Sequence, residues 1–274
     1  MLHPYVIGEA TAVASLDGLR ALMALHEAEE FSAQPDPERV VFWGASEGGF
    51  AALWVDRYAP HYAPEFFPVG TIAAIPATDP LGLAEHAVVN YGPTSSAIAA
   101  ALVTMQDWYG QGDLSTVFSE APFNALEVLP ELVATTCDDY SALSEVSQSS
   151  ELYAESFIAS IASGEFVDPW TCYLQEGVLR ESVVPLASDT PTLMILAEED
   201  DLAIPELVRS DMPVLCDQGY RIEHLECAGA SHTAAAVQTL PYQLAWARDR
   251  MAGAPWNPTA LCEITDPVDC EALQ

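Results

Sequence analysis

An α/β fold with a mostly parallel sheet and helices on both faces is predicted from three features of this 274-residue sequence. Short apolar runs at 40–44, 69–75 and 192–197 have the length and continuity of strands buried on both sides. A fourth run, 221–226, alternates weakly and reads as the last strand. Helix-like stretches separate the runs, as the crossovers between parallel strands require.

Before the first strand, Val13, Leu16, Leu19, Met23 and His26 recur at spacings of three or four, so residues 1–39 are read mainly as one helix. The first strand, Val40-Val-Phe-Trp43, runs into Gly44-Ala-Ser-Glu-Gly48, and the small residues that follow are helix-like. This is a G-x-S-x-G turn from strand to helix, which holds its serine in a strained conformation and lifts the hydroxyl of Ser46 out of the sheet edge. Gly44 and Gly48 are both expected to be required, because a Cβ at either place would meet neighbouring backbone. The backbone N–H of Glu47, the residue after the serine, is the expected oxyanion donor.

The strand at 192–197 ends in Glu198-Glu-Asp-Asp201. A carboxylate just past the carboxyl end of a parallel strand lies on the functional rim of the sheet. Four acids compete there; Asp200 is favoured and Asp201 comes second, against the plainer reading of a solvated acidic turn. After the last strand, Ala228-Gly-Ala-Ser-His232 is a short loop ending in histidine. Of the six histidines, only His232 follows a strand through a glycine-containing loop; His61, His86 and His224 read as surface or structural. A serine hydroxyl needs a base to take its proton, and the base needs a carboxylate to fix its tautomer. Ser46, Asp200 and His232 provide these parts in the chain order of the α/β-hydrolase fold. The long stretch between the serine and the acid has room for an inserted cap.

Several stretches resemble the secretory lipases of fungi and bacteria: His3–Glu9, Ser15–Ala21, Trp43–Trp54, Tyr58–Glu65, Val69–Asp79, Cys216–Gly219 and Gly229–His232. The resemblance implies an α/β-hydrolase core at 1–85 and 188–274 with a helical cap or lid at 86–187. It implies hydrolysis of carboxylic esters, acylglycerols among them, through a Ser46–His232–Asp200 triad and an acyl-enzyme, in a secreted protein that takes part in lipid catabolism. Family members carry further strands ahead of the nucleophile strand, so the N-terminal strands of the sheet are expected to be missing here and strand 40–44 to have one open, apolar edge. That makes self-association a possible property of the chain. It also keeps open a second reading, a weakly active or non-catalytic hydrolase fragment serving as a binding module. An acyltransferase or peptidase using the same triad is a variant of the first.

The cap segment is rich in Ala, Ser and acids, with helices expected near 94–108, 124–136 and 140–162. Val103, Met105, Trp108, Tyr109, Phe157 and Ile158 are candidates to line an acyl cleft, or else to pack its helices.

Composition narrows the classes. With 41 acids, eight arginines and no lysine, the formal net charge is −33. Nucleic acid, which selects a basic footprint, is excluded as a partner, as are anionic membrane surfaces. The missing lysine rules out Schiff-base chemistry and the P-loop lysine. Such a charge suits a screened, salty medium, and the chain is read as halotolerant. No metal-type cysteine or histidine spacing occurs, and no metal or cofactor is expected. No targeting segment and no membrane-spanning run is legible. The six cysteines, at 137, 172, 216, 227, 262 and 270, fit disulfides formed in an oxidising compartment. Proximity in sequence pairs Cys137–Cys172, Cys216–Cys227 and Cys262–Cys270.

Overall fold

The computed structural model describes residues 2–28, 34–120, 124–135 and 146–273. Four strands form one sheet: β1 (Val40–Ala45), β2 (Pro68–Ala74), β3 (Pro191–Ala197) and β4 (Arg221–Cys227). Their order is β1-β2-β3-β4 and every pair is parallel. They fall on the three apolar runs and on the weakly alternating fourth.

The chain divides into two compact units. One, Gly8–Thr78 with Ser182–Gln274, holds the whole sheet together with α1 (Gly8–Glu27), α2 (Glu47–Tyr62), α9 (Pro205–Asp217), α10 (His232–Gln238) and α11 (Leu240–Met251). The other, Met1–Ile7 with Asp79–Glu181, is helical: α3 (Pro80–Val89), α4 (Pro93–Tyr109), α5 (Ala125–Thr135), α6 (Ser149–Leu152), α7 (Glu155–Ala162) and α8 (Trp170–Glu176). Part of the helix expected at 140–162 lies outside the described residues, as does Cys137.

The pleat explains how the sheet is covered. Alternate residues point to opposite faces, so Ile72 and Ala74 of β2 join Leu193, Ile195 and Ala197 of β3 in one apolar cluster, closed by Ala235 of α10 and by Trp246 and Ala247 of α11. Gly70 admits α11 closely, since a Cβ there would lie 2.7 Å from the Trp246 ring. α2 packs against β1 and β2, and α1 packs on α2. β2 and β3 are buried along almost their whole length, which is why their sequences are continuous apolar runs rather than alternating ones. β4 alternates in burial, with Ile222, His224 and Glu226 on the more buried face, and its outer edge meets the C-terminal segment through single bridges at Leu261 and Val268. Among the described residues β1 pairs with β2 alone, so its other side is an edge, as the sequence predicts.

In α1 the periodicity marks the helix correctly but not its buried side. Leu16 is buried, together with Gly8, Ala10 and Ala12, whereas Val13, Leu19 and Met23 are only half-buried. The small residues let α1 lie close to α2: a Cβ on Gly8 would come within 2.4 Å of Trp54.

In the helical unit, Val103, Met105 and Phe157 are buried among its packed helices, whereas Trp108 is 40% exposed. The Tyr109 ring stacks on Tyr173 with centroids 4.0 Å apart. No helix among the described residues is long and apolar enough to cross a membrane.

The disulfides correct the expected pairing. Cys216 bonds Cys262 and Cys227 bonds Cys270, while Cys172 is exposed and its thiol free. Proximity in sequence fails because each expected partner lies at the wrong end of an element. Cys216 sits near the end of α9 and Cys227 at the far end of β4, and the C-terminal segment runs back along β4 to meet both.

Asp56 and Arg57 of α2 are both 1% exposed. Arg57 is bound by Gln218, Tyr220 and the Val184 carbonyl. Burial pushes the Asp56 carboxyl up to about 7 from 3.8, although the Ser188 and Thr190 hydroxyls and Arg57 favour its charged form. The folded state therefore binds this proton more tightly than the unfolded chain. The stability it lends is full below about pH 4, falls as pH rises and is gone above about pH 7. Asp56→Asn should melt at the same temperature as the parent at pH 4 and at a higher one at pH 8, by thermal denaturation across that range.

Candidate active site

The turn after β1 carries the site's first residue. Ser46 adopts φ 59° and ψ −120°, a left-handed backbone that a non-glycine residue rarely takes. It is held there from both sides: its N–H donates to the Ala74 carbonyl at 2.9 Å, and its own carbonyl accepts from Phe50 in the first turn of α2 at 3.0 Å. Ile75, just past β2, is also left-handed, at φ 46°, and donates to the Ile195 carbonyl at 2.6 Å. Left-handed backbone thus occurs at the carboxyl ends of two neighbouring strands, a pattern found where a site is pre-arranged.

The glycines of the turn have different duties from those expected. A Cβ on Gly44 would lie 2.0 Å from the Gly48 carbonyl oxygen, so Gly44 is required. Gly48 is not, for a Cβ there would meet nothing within 4 Å. The second required glycine is Gly49, whose Cβ would lie 2.7 Å from the Ala74 carbonyl oxygen. Gly48 supplies the backbone that Gly44 must clear, and Gly49 lets α2 cross over the end of β2.

Ser46, His232 and Asp200 come together. Ser46 Oγ is 2.8 Å from His232 Nε2. His232 Nδ1 lies 2.7 Å and 2.9 Å from the two Asp200 oxygens. A carboxylate only accepts, so Nδ1 carries the hydrogen and Nε2 accepts the serine O–H. His232 opens α10 directly after the loop from β4. Asp200 is 6% exposed, and its Oδ1 also accepts the N–H groups of Leu202 and Ala203, both at 2.9 Å.

Of the four competing acids, Asp200 is the one hydrogen-bonded to His232. The Glu198 carboxylate accepts the N–H of Gly229, and Glu199 and Asp201 are exposed. Glu47 is the first residue of α2, beside the serine. His61 binds the Pro185 carbonyl and His224 binds Thr265, both structural contacts. Sequence reasoning misses the Ala74 carbonyl, the Leu202 and Ala203 amides and the Glu198 contact. Main-chain groups leave no mark in the sequence; only the doubled glycine at 48–49 hints at the close crossing of β2. Among the described residues no cluster of three or more His, Cys, Asp or Glu side chains is placed to hold a metal ion.

A parallel sheet flanked by helices, with serine, acid and histidine at the carboxyl ends of its strands, is the architecture of the α/β hydrolases. The family model for secretory lipases matches residues 3–258, and the chain belongs to that family. It is 24% identical over 244 residues to a secreted triacylglycerol lipase of Malassezia globosa, covering 87% of this chain and 50% of that protein. The fold is similar to lipase A of Candida antarctica in its closed state, with a TM-score of 0.72 at 17% identity, over 97% of this chain and 59% of that one. It is also similar to the rice cell wall degrading esterase of Xanthomonas oryzae, with a TM-score of 0.68 at 17% identity, over 92% and 66%. The chain therefore spans about half the length of the curated lipase it matches. The family is a secretory one, and the two disulfides suit an extracellular location.

The glycine geometry has a direct test. Gly44→Ala should cost more than about 3 kcal/mol or prevent folding, since neither backbone can yield. Gly48→Ala should fold with a stability within about 1 kcal/mol of the parent. Soluble yield and denaturant midpoints would check both.

Proposed function

We propose that this chain hydrolyses carboxylic esters by a serine acyl-enzyme mechanism. The observation that carries the reading is the continuous path Ser46 Oγ–His232 Nε2, His232 Nδ1–Asp200, every link at hydrogen-bond length. Ser46 Oγ attacks the ester carbonyl carbon as its proton passes to His232 Nε2. Asp200 holds the neutral tautomer before attack and stabilises the imidazolium after it. The Glu47 N–H, beside the nucleophile, is proposed to donate to the oxyanion of the tetrahedral intermediate. Collapse of that intermediate expels the alcohol, which takes the proton from His232, and leaves an acyl ester on Ser46. Water, deprotonated by His232, then attacks the acyl carbon, releasing the acid and restoring the serine.

Family membership supports acyl esters as the substrate class, with acylglycerols among them, and we read the protein as a lipase or carboxylesterase. The stretch 86–187 is proposed to act as its lid. The exposed edge of β1 supports self-association: Trp43 on that strand is 41% exposed, and an unpaired apolar edge is a template for another strand.

Three experiments test these readings. A fluorophosphonate probe should label Ser46 alone, as mapped by mass spectrometry, and Ser46→Ala should abolish both labelling and turnover of p-nitrophenyl esters. Asp200→Asn should lower kcat by about 10⁴-fold by removing the acceptor that fixes the tautomer, whereas Asp201→Asn should have far less effect; the reverse ranking would move the acid by one residue. For the edge, light scattering on purified protein should give a mass that rises with concentration. A constant monomer mass would end that proposal.

A further inference from the structure

The loops carrying the acid and the base are tied to one another. Immediately after β3, the Glu198 N–H donates to the Cys227 carbonyl at 3.1 Å and the Glu199 N–H to the Ala230 carbonyl at 3.0 Å. Between those two points lies Gly229, left-handed at φ 60°, where the chain turns away from β4 toward His232. Its N–H donates back across the gap to Glu198 Oε2 at 2.8 Å. The outer side of the loop is gripped as well. Val268 accepts from Ala228 and donates to the Glu226 carbonyl, both at 2.8 Å, next to the Cys227–Cys270 disulfide. Residues on either side of Gly229 are thus fixed by main-chain bonds, and Gly229, the freest residue of the loop, is fixed by a side chain.

We propose that Glu198 is a positioning residue for the reaction. By accepting the Gly229 N–H it sets how closely the 228–231 loop presents His232 to Ser46. Two acids of one loop then act on one histidine: Asp200 orients the imidazole directly, and Glu198 sets the place from which the imidazole is offered. Glu198 touches none of the reacting atoms. It is an exposed residue bonded to a main-chain amide, so its effect falls on geometry rather than on the stability of the core. An acceptor oxygen held 2.8 Å from the Gly229 N–H fixes the distance between the two loops, and displacement of a catalytic group by about 1 Å costs up to about 10²-fold in rate. The inference rests on the triad reading of the preceding subsection.

The test uses the full chain with Glu198→Ala, Glu198→Gln and Ser46→Ala side by side, assayed on p-nitrophenyl esters with thermal melts. Glu198→Ala should lose about tenfold in kcat with KM within about twofold and an unchanged melt. Glu198→Gln, whose amide oxygen still accepts the Gly229 N–H, should recover most of that rate. The pH profile should be the same in both variants, since position and not charge is at stake. Parental kcat in Glu198→Ala, or a folded Glu198→Gln as slow as Glu198→Ala, would overturn the role. Should Glu198→Ala fail to fold, the rate of Glu198→Gln decides alone: near-parental supports the role, a tenfold loss overturns it. Turnover surviving in Ser46→Ala would bring down the triad reading and this inference with it. A dead Ser46→Ala beside a fully active Glu198→Ala would remove only the positioning role.

Discussion

The left-handed backbone of Ser46 is the constraint around which the sheet-bearing unit is organised. A non-glycine residue at φ 59° is costly and persists only where its surroundings over-determine it. Here the surroundings are specific. The Ala74 carbonyl takes the serine N–H, α2 takes its carbonyl, Gly44 clears the Gly48 backbone and Gly49 clears the end of β2. Each requirement ties β1, β2 and α2 to one relative placement, and β2 carries that placement on to β3 through Ile75 and Ile195. Where the serine hydroxyl points follows from how three elements cross.

The opposite rim is built by hydrogen bonding rather than by backbone strain. The carboxyl ends of β3 and β4 lie side by side in register, Ala197 opposite Cys227. The loops that leave them must therefore meet, and their first free amides and carbonyls pair across the gap. Asp200 is drawn inward by the N–H groups of Leu202 and Ala203, while its acidic neighbours remain at the surface. Four consecutive acids thus acquire different environments within a few ångströms. Chemistry sorts by burial and hydrogen-bond partners, not by residue type.

The charge balance shows the same economy. With eight arginines against 41 acids, several of the buried or half-buried arginines take more than one acceptor, whereas the Nε of buried Arg250 has none among the described residues. Arg209 reaches both Glu226 and Glu206, and Arg20 joins Asp17, Glu65 and the Tyr62 carbonyl. Arg57 is satisfied by neutral acceptors and the face of Tyr220, beside an Asp56 whose carboxyl burial pushes toward neutrality. Asp79, Asp200 and Asp211 are buried too, on Arg180, His232 and Thr78, while for the acids at the surface screening by salt limits their mutual repulsion.

The sequence by itself determined the local and the repetitive. Three apolar runs and one weakly alternating run set the strands, and β2 and β3 are continuous because a strand buried on both faces has little room for polar residues. The glycine-flanked Ser46 set the turn, and a histidine placed one short loop beyond the last strand marked the side chain that meets the serine hydroxyl. It also pointed to Asp200, the acid that is hydrogen-bonded to His232, by its place just past a strand end, although nothing local separates Asp200 from Asp201. What only the tertiary structure decided were the pairings between distant segments. The disulfides join Cys216 to Cys262 and Cys227 to Cys270 because the C-terminal segment returns along β4. Gly49 rather than Gly48 is the tight glycine because β2 passes beneath it, and Glu198 meets Gly229 because β3 and β4 end together. Such contacts depend on the register and crossing of whole elements, quantities set by the packing of the entire core and written at no single position.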